Sequence, residues 1–430
     1  MSLSCFEFTD QKNQLTLEEA QQALLTSATQ ITHSIQLPLA DTAGLSLASD
    51  IIAPINVPQN TNAAMDGYAI HSRDLADQKS WKIIGESLAG QGFKGELQTG
   101  ESVYITTGAP LPAGADTVVM IEQCRVETNT VYFEQVKKIQ PGSHVRQAGE
   151  DIQQGQVVLK QGTRLGSAQL GLLASLGLDQ VPVHQPVKVA VFSTGDEVTA
   201  PGQSLPAAGI YDANRFTLMA MLDALGCQVT DLGILPDNLQ QITQALSQAS
   251  AEHQLVLTSG GVSVGDADFV KQALSQLGET RFWRLAIRPG RPFAFGHLGQ
   301  NAAGQTCLFA GLPGNPVATL VTFMLLVQPM IRQLQGASCC LPPVWTAVAE
   351  TLLKSRSGRS DFHRGRFSFN ASGQLQVRST GAQGSGILTS AHQGNCLIRI
   401  PDDQPDIPAG DSVTIYPFYE WLPGYRGFAE

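Results

Sequence analysis

The sequence predicts a protein of several domains, with a central α/β domain built on a parallel sheet and β-rich regions on either side of it. The chain has 430 residues, enough for about three domains at roughly 150 residues each. Apolar runs alternate with amphipathic segments between residues 187 and 335, the pattern of βαβ units. Short β-branched runs separated by Gly and Pro precede and follow that region, which favours small β modules there.

The N-terminal part should contain two helices. Thr16 and Glu19 have the spacing of a capping box, and apolar residues then recur at helical intervals, so residues 16–31 are predicted to be helical. Residues 102–107 and 116–121 are predicted strands. Residues 165–176 should form a second helix that ends at Gly177. Residues 181–186 are predicted to be a linker.

The apolar patterns that predict strands and helices are more regular in the central and C-terminal parts of the chain. The predicted central strands are residues 187–192, 228–234, 254–258, 281–287 and 306–309, with a hairpin strand at 293–295. The predicted helices are residues 214–225, 239–250, 267–277 and 316–335. Residues 345–352, 364–369, 375–379, 396–400 and 412–416 should form a small β barrel or sandwich. The predicted domains are 1–54 with 152–186 (helical and discontinuous), 55–151 (β-rich), 187–337 (α/β) and 338–430 (C-terminal β barrel).

Composition and charge exclude several classes of protein. Hydrophobic residues make up 43% of the chain, which argues against general disorder, and the net charge of −10 argues against a chain that coats nucleic acid or an anionic membrane. The seven cysteines contain no C-x-x-C pair and favour reduced thiols. Residues 317–327 are too short to span a bilayer and no secretory signal is evident, so we expect a cytoplasmic protein with neither nucleic acid nor membrane partners.

Glycine and hydroxyl side chains follow two of the predicted parallel strands. Residues 193–197 read S-T-G-D-E, and residues 259–268 read S-G-G-V-S-V-G-D-A-D. Ligands of such sheets bind at the carboxyl ends of the strands, where glycines admit a phosphate and carboxylates hold a divalent cation. The alternative is an ordinary turn in which Asp266 caps a helix.

A third loop, residues 311–316, leads into the long apolar helix. Asn315 suits the N-cap and Pro316 the first helical position, so this helix start is well specified. Its free N–H groups favour an anion. A turn that simply begins a buried helix is the alternative.

Three arginines, Arg284, Arg288 and Arg291, lie within eight residues of an otherwise acidic chain. The prolines and glycine of R-P-G-R-P fix the backbone between Arg288 and Arg291, so that both guanidinium groups can grip one oxyanion. A solvated basic turn is the alternative.

Turn-like stretches with reactive side chains also occur at residues 62–69, 106–110 and 149–151. Asp66-Gly67 in the first of these is equally a hairpin signal. No histidine has metal-ligand spacing with Cys or a second His, which disfavours a zinc hydrolase, and no Ser-His-Asp order is supported.

Taken together, eight ordered motifs resemble one family. They are M-D-G-Y-A (65–69), T-G-A-P (107–110), G-E-D-I (149–152), F-S-T-G-D-E (192–197), S-G-G-V-S-V-G-D-A-D (259–268), R-P-G-R-P-F-A-F-G (288–296), G-L-P-G-N-P-V (311–317) and G-A-Q-G-S-G (381–386). The chain resembles the MoeA family of molybdopterin molybdotransferases, which is related to the C-terminal domain of gephyrin. The resemblance covers nearly the whole chain.

The resemblance implies the last step of molybdenum cofactor synthesis. Molybdate is inserted into the dithiolene of adenylylated molybdopterin, the adenylate is hydrolysed with Mg²⁺, and AMP is released. It also implies a homodimer of four-domain subunits with a molybdopterin-binding fold in the α/β domain, and contacts with molybdopterin adenylyltransferase and cofactor-delivery proteins.

The resemblance also implies roles for individual residues. The family's molybdate-binding positions fall on Arg288, Arg291, Pro292, Arg364 and Ser385. Its magnesium and adenylate-cleaving carboxylates fall on Glu197, Asp237 and Asp268. The implied cradle for pterin and phosphate is Thr194, Gly195, Ser259, Gly260, Gly261, Pro313, Gly314, Asn315 and Pro316. Asp66, Thr107 and Asp151 match residues needed for activity, which in a dimer could complete the site of the other subunit.

Two departures from the family pattern stand out. The family usually has K-P-G-K-P where this chain has arginines, which keeps the charge but changes the donor geometry. It usually has F-D-N-S-A ahead of Asp66, where this chain lacks the aromatic residue and the serine.

A binding scaffold and a nucleotide pyrophosphatase are the alternative functions.

Overall fold

The computed structural model describes residues 14–29, 33–261, 269–404 and 406–418. Its α-helices within these ranges are α1 Leu17–Ser27, α2 Ser167–Ser175, α3 Asn214–Ala224, α4 Leu239–Glu252, α5 Phe269–Leu277, α6 Pro316–Thr322, α7 Gln328–Leu334 and α8 Leu388–Gln393.

The strands of the first half are β1 Ser34–Pro38, β2 Ile51–Ile52, β3 Asn62–Ala63, β4 Gly67–Ile70, β5 Trp81–Ser87, β6 Glu101–Ile105, β7 Thr117–Met120, β8 Cys124–Glu127, β9 Thr130–Phe133, β10 Val145–Arg146, β11 Val157–Leu159 and β12 Gln180–His184. Those of the second half are β13 Lys188–Thr194, β14 Val198–Thr199, β15 Ile210–Tyr211, β16 Gln228–Leu235, β17 Leu255–Ser259, β18 Glu279–Arg284, β19 Ile287–Arg288, β20 Pro292–Gln300, β21 Thr306–Leu312, β22 Trp345–Ala349, β23 Leu353–Lys354, β24 Ser360–Phe369, β25 Leu375–Ser379, β26 Cys396–Ile400, β27 Asp406–Ile407 and β28 Ser412–Pro417.

The N-terminal helices form where they are predicted. Thr16 is the N-cap of α1 and completes the capping box with Glu19. The helix ends at Ser27, earlier than predicted, and residues 30–31 lie outside the described residues. Gly177 follows α2 with φ +74°, the left-handed conformation of a helix end.

The predicted linker at residues 181–186 is wrong. Its first residues belong to β12, which pairs antiparallel with β1 from Ser34↔His184 to Pro38↔Gln180. Val181 and Val183 point to the same side of the strand and are fully buried, so burial of alternate side chains stabilises a strand here. β2 also pairs with β11. Residues before 54 and residues after 152 therefore form one structural unit, although they are distant in sequence.

A six-stranded sheet forms the β-rich region, in the order β7-β4-β6-β5-β9-β8. Trp81 is fully buried in its core and packs against Phe133 with the ring centroids 4.3 Å apart. The predicted strands at 102–107 and 116–121 correspond to β6 and β7.

The central sheet has the order β16-β13-β17-β21-β20-β18. The first four strands are parallel, whereas β20 is antiparallel to both of its neighbours, so the sheet is mixed rather than wholly parallel. The predicted strand 281–287 ends early, because residues 287–288 leave this sheet as β19 and pair with β24. Side chains of β13 alternate between the two faces of the sheet. Those on one face pack in a core with α1, α3, α6 and α7, and those on the other face pack with α4 and α5.

The long apolar helix lies in the first of these cores. It is continuous from Pro316 to Leu334, with a π-helical segment Phe323–Val327 between α6 and α7. This stretch is long and apolar enough to cross a membrane, but 89% of its most apolar window is buried inside the protein. The predicted buried helix is therefore confirmed.

The C-terminal strands close into a small barrel, as predicted. β24, β25, β22, β28 and β26 pair in that order, and β26 pairs back with β24. Helix α8, which the sequence analysis did not predict, packs against β24.

Candidate functional site

Thr194 and Asp237 meet at the carboxyl edge of the central sheet. They follow the neighbouring parallel strands β13 and β16, whose last paired residues are Thr194 and Leu235. The buried Thr194 hydroxyl donates to Asp237 Oδ1 at 2.7 Å. The hydrogen bond fixes the orientation of a carboxylate that the loop alone would leave mobile.

Glu197 lies over Gly195. A Cβ on Gly195 would lie 2.5 Å from Glu197 Oε2, and the φ of +133° is one that residues with a side chain rarely adopt, so this position favours glycine. The structure thus places Glu197 and Asp237 at the ends of adjacent strands, as the sequence predicts. Both present oxygen atoms, the ligand type that magnesium prefers.

Asp268 lies outside the described residues, as do the other residues of 262–268. Across the part of the chain that the structure describes, no three His, Cys, Asp or Glu side chains converge as a metal site. Of the three carboxylates that the resemblance implies for magnesium, Glu197 and Asp237 lie within the described residues.

Two glycine loops touch beside these carboxylates. Gly260 and Gly261 follow β17 with positive φ angles of +99° and +63°. A Cβ on Gly314 would lie 3.8 Å from the Cα of Gly260, so the two loops are in van der Waals contact. The Asn214 side chain donates to Gly314 O at 2.7 Å and holds the second loop in place.

Asn315 and Pro316 begin α6 at the N-cap and the first helical position, as predicted. The Asn315 side chain makes no capping hydrogen bond and is exposed. It therefore stays available to a ligand at the start of the helix.

The arginine loop is attached to the C-terminal barrel. Arg288 pairs in register with Asp361, and its Nη1 donates to Asp361 Oδ2 at 2.9 Å. The Ser355 hydroxyl donates to the same oxygen at 2.5 Å. Arg291 lies on the exposed side of the loop, with its carbonyl accepting from Leu285 N at 2.8 Å.

A cavity of about 330 Å³ lies at this junction. Its lining residues are Arg288, Pro289, Arg356, Asp361, Phe362, His363, Arg364 and Gln383. It places two of the predicted oxyanion ligands, Arg288 and Arg364, on the wall of one space.

Basic residues that the sequence analysis missed surround the same space. Arg356 lines it, and Arg359 is half-buried close to both loop arginines. Burial first, and then the positive charges of Arg288 and Arg291, lower the pKa of the Arg359 guanidinium. Repulsion among these groups makes the junction attractive to an anion. The sequence feature that could have revealed these two arginines is the run R-S-G-R-S-D at 356–361, which leads into β24.

Arg364 is fully buried, and much of its guanidinium binds the protein itself. It donates from Nε to Ser390 Oγ at 3.0 Å and from Nη2 to Gly384 O at 3.3 Å. Burial lowers its pKa to about 10, so it still carries its charge at neutral pH. Arg364 thereby braces the loop 381–386, which carries Ser385.

Helix α6 joins the sheet edge to the arginine cavity. Val317 N, in its first turn, donates to Ser385 O at 3.0 Å. A Cβ on Gly290 would lie 2.6 Å from Thr322 Cγ2, so the arginine loop packs against the end of the same helix. From Pro316 to Thr322 the helix rises roughly 9 Å. Its first turn contacts the loop of Ser385, and its last turn contacts the arginine loop.

Asp66 and Thr107 form a separate cluster in the β-rich region. Asp66 Oδ1 accepts from Thr107 N at 2.6 Å and from the Thr107 hydroxyl at 2.8 Å. The backbone hydrogen bond first, and then that of the hydroxyl, lower the pKa of the exposed Asp66 carboxyl. Asp151 lies on another loop, with its N–H donating to Val57 O at 3.0 Å.

Family models match three consecutive parts of the chain. They are the MoeA N-terminal region (domain I and II) over residues 15–177, a probable molybdopterin binding domain over residues 190–333, and the MoeA C-terminal region (domain IV) over residues 346–418.

Individual proteins match over most of the chain. The molybdopterin molybdenumtransferase of Haemophilus influenzae is 44% identical, covering 95% of this chain and 100% of that protein. Gephyrin of Dictyostelium discoideum is 30% identical over 93% of this chain and 62% of its own length. The solved structure of the molybdopterin biosynthesis protein moeA of Pyrococcus horikoshii OT3 has a TM-score of 0.79 and 27% identity, covering 94% of this chain and all of that one.

Proposed function

Because this chain belongs to the MoeA family of molybdopterin molybdenumtransferases, we propose that it inserts molybdate into the dithiolene of adenylylated molybdopterin and hydrolyses the adenylate. AMP and the molybdenum cofactor are the products. The observation that carries the proposal is the pairing of two half-sites along α6, because one substrate needs both a phosphate cradle and a neighbouring oxyanion site.

The phosphate half-site is assigned to the sheet edge. Thr194, Gly195, Ser259, Gly260 and Gly261, with residues 313–316, offer backbone N–H groups and small side chains to the pterin and the phosphates. The exposed Asn315 amide adds hydrogen-bond donors to the same surface.

Magnesium is assigned to the carboxylates of this edge. The oxygen donors of Glu197 and Asp237 suit Mg²⁺, and Asp268 is the third proposed ligand. The bound ion would stabilise charge that develops on the leaving AMP. The chain's own contribution is orientation, because the Thr194 hydrogen bond holds Asp237.

The oxyanion half-site is assigned to the cavity beside the barrel. Arg288, Arg291 and Pro292 on one loop, with Arg364 and Ser385 from the barrel, would hold molybdate beside the dithiolene. Arg359 supports this assignment, since its charge adds to those of Arg288 and Arg291.

We further propose that the protein acts as a homodimer in the cytoplasm, with Asp66, Thr107 and Asp151 completing the site of the partner subunit. The mutual contacts of Asp66 and Thr107 within the β-rich region support this, because they preorganise a carboxylate outside the sheet edge. Molybdopterin adenylyltransferase and cofactor-delivery proteins are the proposed protein partners. The domain bounds 1–54 with 152–186, 55–151, 187–337 and 338–430 are part of the same proposal.

The test is AMP release from the purified protein given adenylylated molybdopterin and Mg²⁺, with and without molybdate. We expect molybdate-dependent release that Asp268→Ala abolishes while precursor binding persists. Binding without release in the wild type would instead support a scaffold, and hydrolysis of ADP-ribose without molybdate would support a pyrophosphatase. Loss of precursor binding in Asp268→Ala would mean that Asp268 is a structural residue.

A further inference from the structure

Two side chains on the wall of the arginine cavity have no role in the assignment above. Asp361 and His363 lie two residues apart on β24, and therefore on the same face of the strand. Both line the cavity with Arg288 and Arg364. The imidazole Nε2 lies 3.6 Å from Asp361 Oδ2, and the two side chains are 12% and 4% exposed.

Both side chains keep a polar atom without a partner. Asp361 Oδ1 and His363 Nδ1 are buried and accept or donate no hydrogen bond. A buried polar atom left without a partner is unfavourable for folding. Such atoms call for an explanation, and a catalytic role is one of those known.

The chemistry of the proposed reaction needs proton movement in this space. When a dithiol and molybdate combine, two Mo–S bonds form, one Mo–O bond breaks, and the departing oxygen leaves as water. The two thiol protons end on that water, and molybdenum stays Mo(VI), so no oxidant or reductant is required. A group that accepts a proton from sulfur and returns it to oxygen would lower the barrier.

We propose that His363 is this proton-transfer residue, accepting a thiol proton and delivering it to the leaving oxygen of molybdate. Asp361 is its positioning residue, in the way that a carboxylate orients a catalytic imidazole. Arginines cannot serve, because they remain protonated. In the part of the chain that the structure describes, His363 is the histidine that borders this cavity.

Charged groups surround the imidazole on several elements. Arg288 comes from β19, Arg356 from the segment before β24, and Asp361 and Arg364 from β24 itself. Asp361 places a negative charge beside the imidazole and offsets part of the positive charge of these arginines.

The inference rests on the proposed function, and the experiment separates the two. Single-turnover cofactor formation from adenylylated molybdopterin and molybdate is measured against pH for the wild type, His363→Gln, and the control His392→Gln, an exposed histidine of α8. Radiolabelled molybdate binding and thermal unfolding are measured on the same samples. Glutamine keeps hydrogen bonding but cannot accept a proton at neutral pH.

We expect His363→Gln to slow formation by about 100-fold, the size of a general acid–base contribution. Its molybdate binding should stay within about twofold of the wild type, its pH–rate profile should lose the acid limb, and its solvent isotope effect should change. His392→Gln should match the wild type. An unchanged rate and pH profile in His363→Gln, or a slower rate explained wholly by weaker molybdate binding, would overturn the role of His363. A wild type that forms no cofactor would overturn the proposed function itself.

Discussion

Arg288 and Asp361 form an ion pair that joins the α/β domain to the C-terminal barrel, with Nη1 2.9 Å from Oδ2. Asp361 is 3% exposed and lies in register with Arg288 across the β19–β24 pair. The positive charge of the predicted oxyanion site is therefore partly neutralised before any anion binds. A partly neutralised site holds its anion less tightly.

Replacing Asp361 should strengthen anion binding. In Asp361→Asn the negative charge is gone while the shape is kept, so we expect molybdate to bind roughly tenfold more tightly, about 1.4 kcal/mol. Equilibrium dialysis with labelled molybdate measures this. Asp406→Asn, an exposed carboxylate in the same domain, is the control and should bind as the wild type does. Equal or weaker binding in Asp361→Asn would show that the pair serves structure alone.

The same pair predicts a pH dependence of stability. Burial raises the pKa of Asp361, but contacts with His363 and Ser355 and the charge of Arg288 outweigh it, so the net shift is downward. A carboxyl with a lowered folded-state pKa stabilises the fold above its unfolded pKa of about 4, and this stability is lost as the pH falls through the folded value. Urea unfolding below pH 5 should therefore show a steeper loss in the wild type than in Asp361→Asn.

Gly290 should tolerate no side chain. Its φ is +109°, and a Cβ would lie 2.6 Å from Thr322 Cγ2 on α6. We expect Gly290→Ala to lower the free energy of unfolding by about 3 kcal/mol through strain and overpacking together. Gly299→Ala is matched in φ, at +100°, but has nothing within 4 Å. It should cost about 1 kcal/mol. Equal losses in the two variants would mean that α6 moves aside freely.

The Thr194 hydroxyl should matter for the metal step. Thr194→Val keeps the volume but removes the donor to Asp237, and loss of such an orienting contact typically lowers metal affinity or activity 10- to 100-fold. Thr194→Ser keeps the hydroxyl and should retain most of the activity. Mg²⁺ titrations of AMP release compare the two. Equal Mg²⁺ dependence in both variants would contradict an orienting role.

Asp66 tests the proposed shared site. Asp66→Asn and Asp237→Asn should each be inactive in AMP release. If a site combines Asp66 of one subunit with Asp237 of the other, mixed dimers contain one intact site, and remixing should restore about a quarter of wild-type activity. If each site is built within one subunit, every site in a mixed dimer carries one of the two defects, and mixing should restore no activity.

Much of the fold was predictable because local sequence patterns and tertiary packing favour the same helices and strands. The capping box of Thr16 and Glu19, the αL glycine after α2 and the Asn315-Pro316 helix start are local signals that the fold leaves intact. The strand β12 was missed, because residues 180–184 contain a proline and become a strand only when β1, more than 140 residues away, pairs with them.

The sequence by itself determined the chemistry that is present: carboxylates and glycines after parallel strands, paired arginines in a rigid loop, and motifs in the order that one family uses. The loops are local features that spacing reveals, and the family is recognised from the order of the motifs along the chain. Only the tertiary structure decided that Arg288 is ion-paired with Asp361, that Arg356 and His363 line the same cavity, and that α6 contacts both the Ser385 loop and the arginine loop. Contacts between residues 70 apart depend on how the barrel docks on the sheet, and no local pattern encodes that docking.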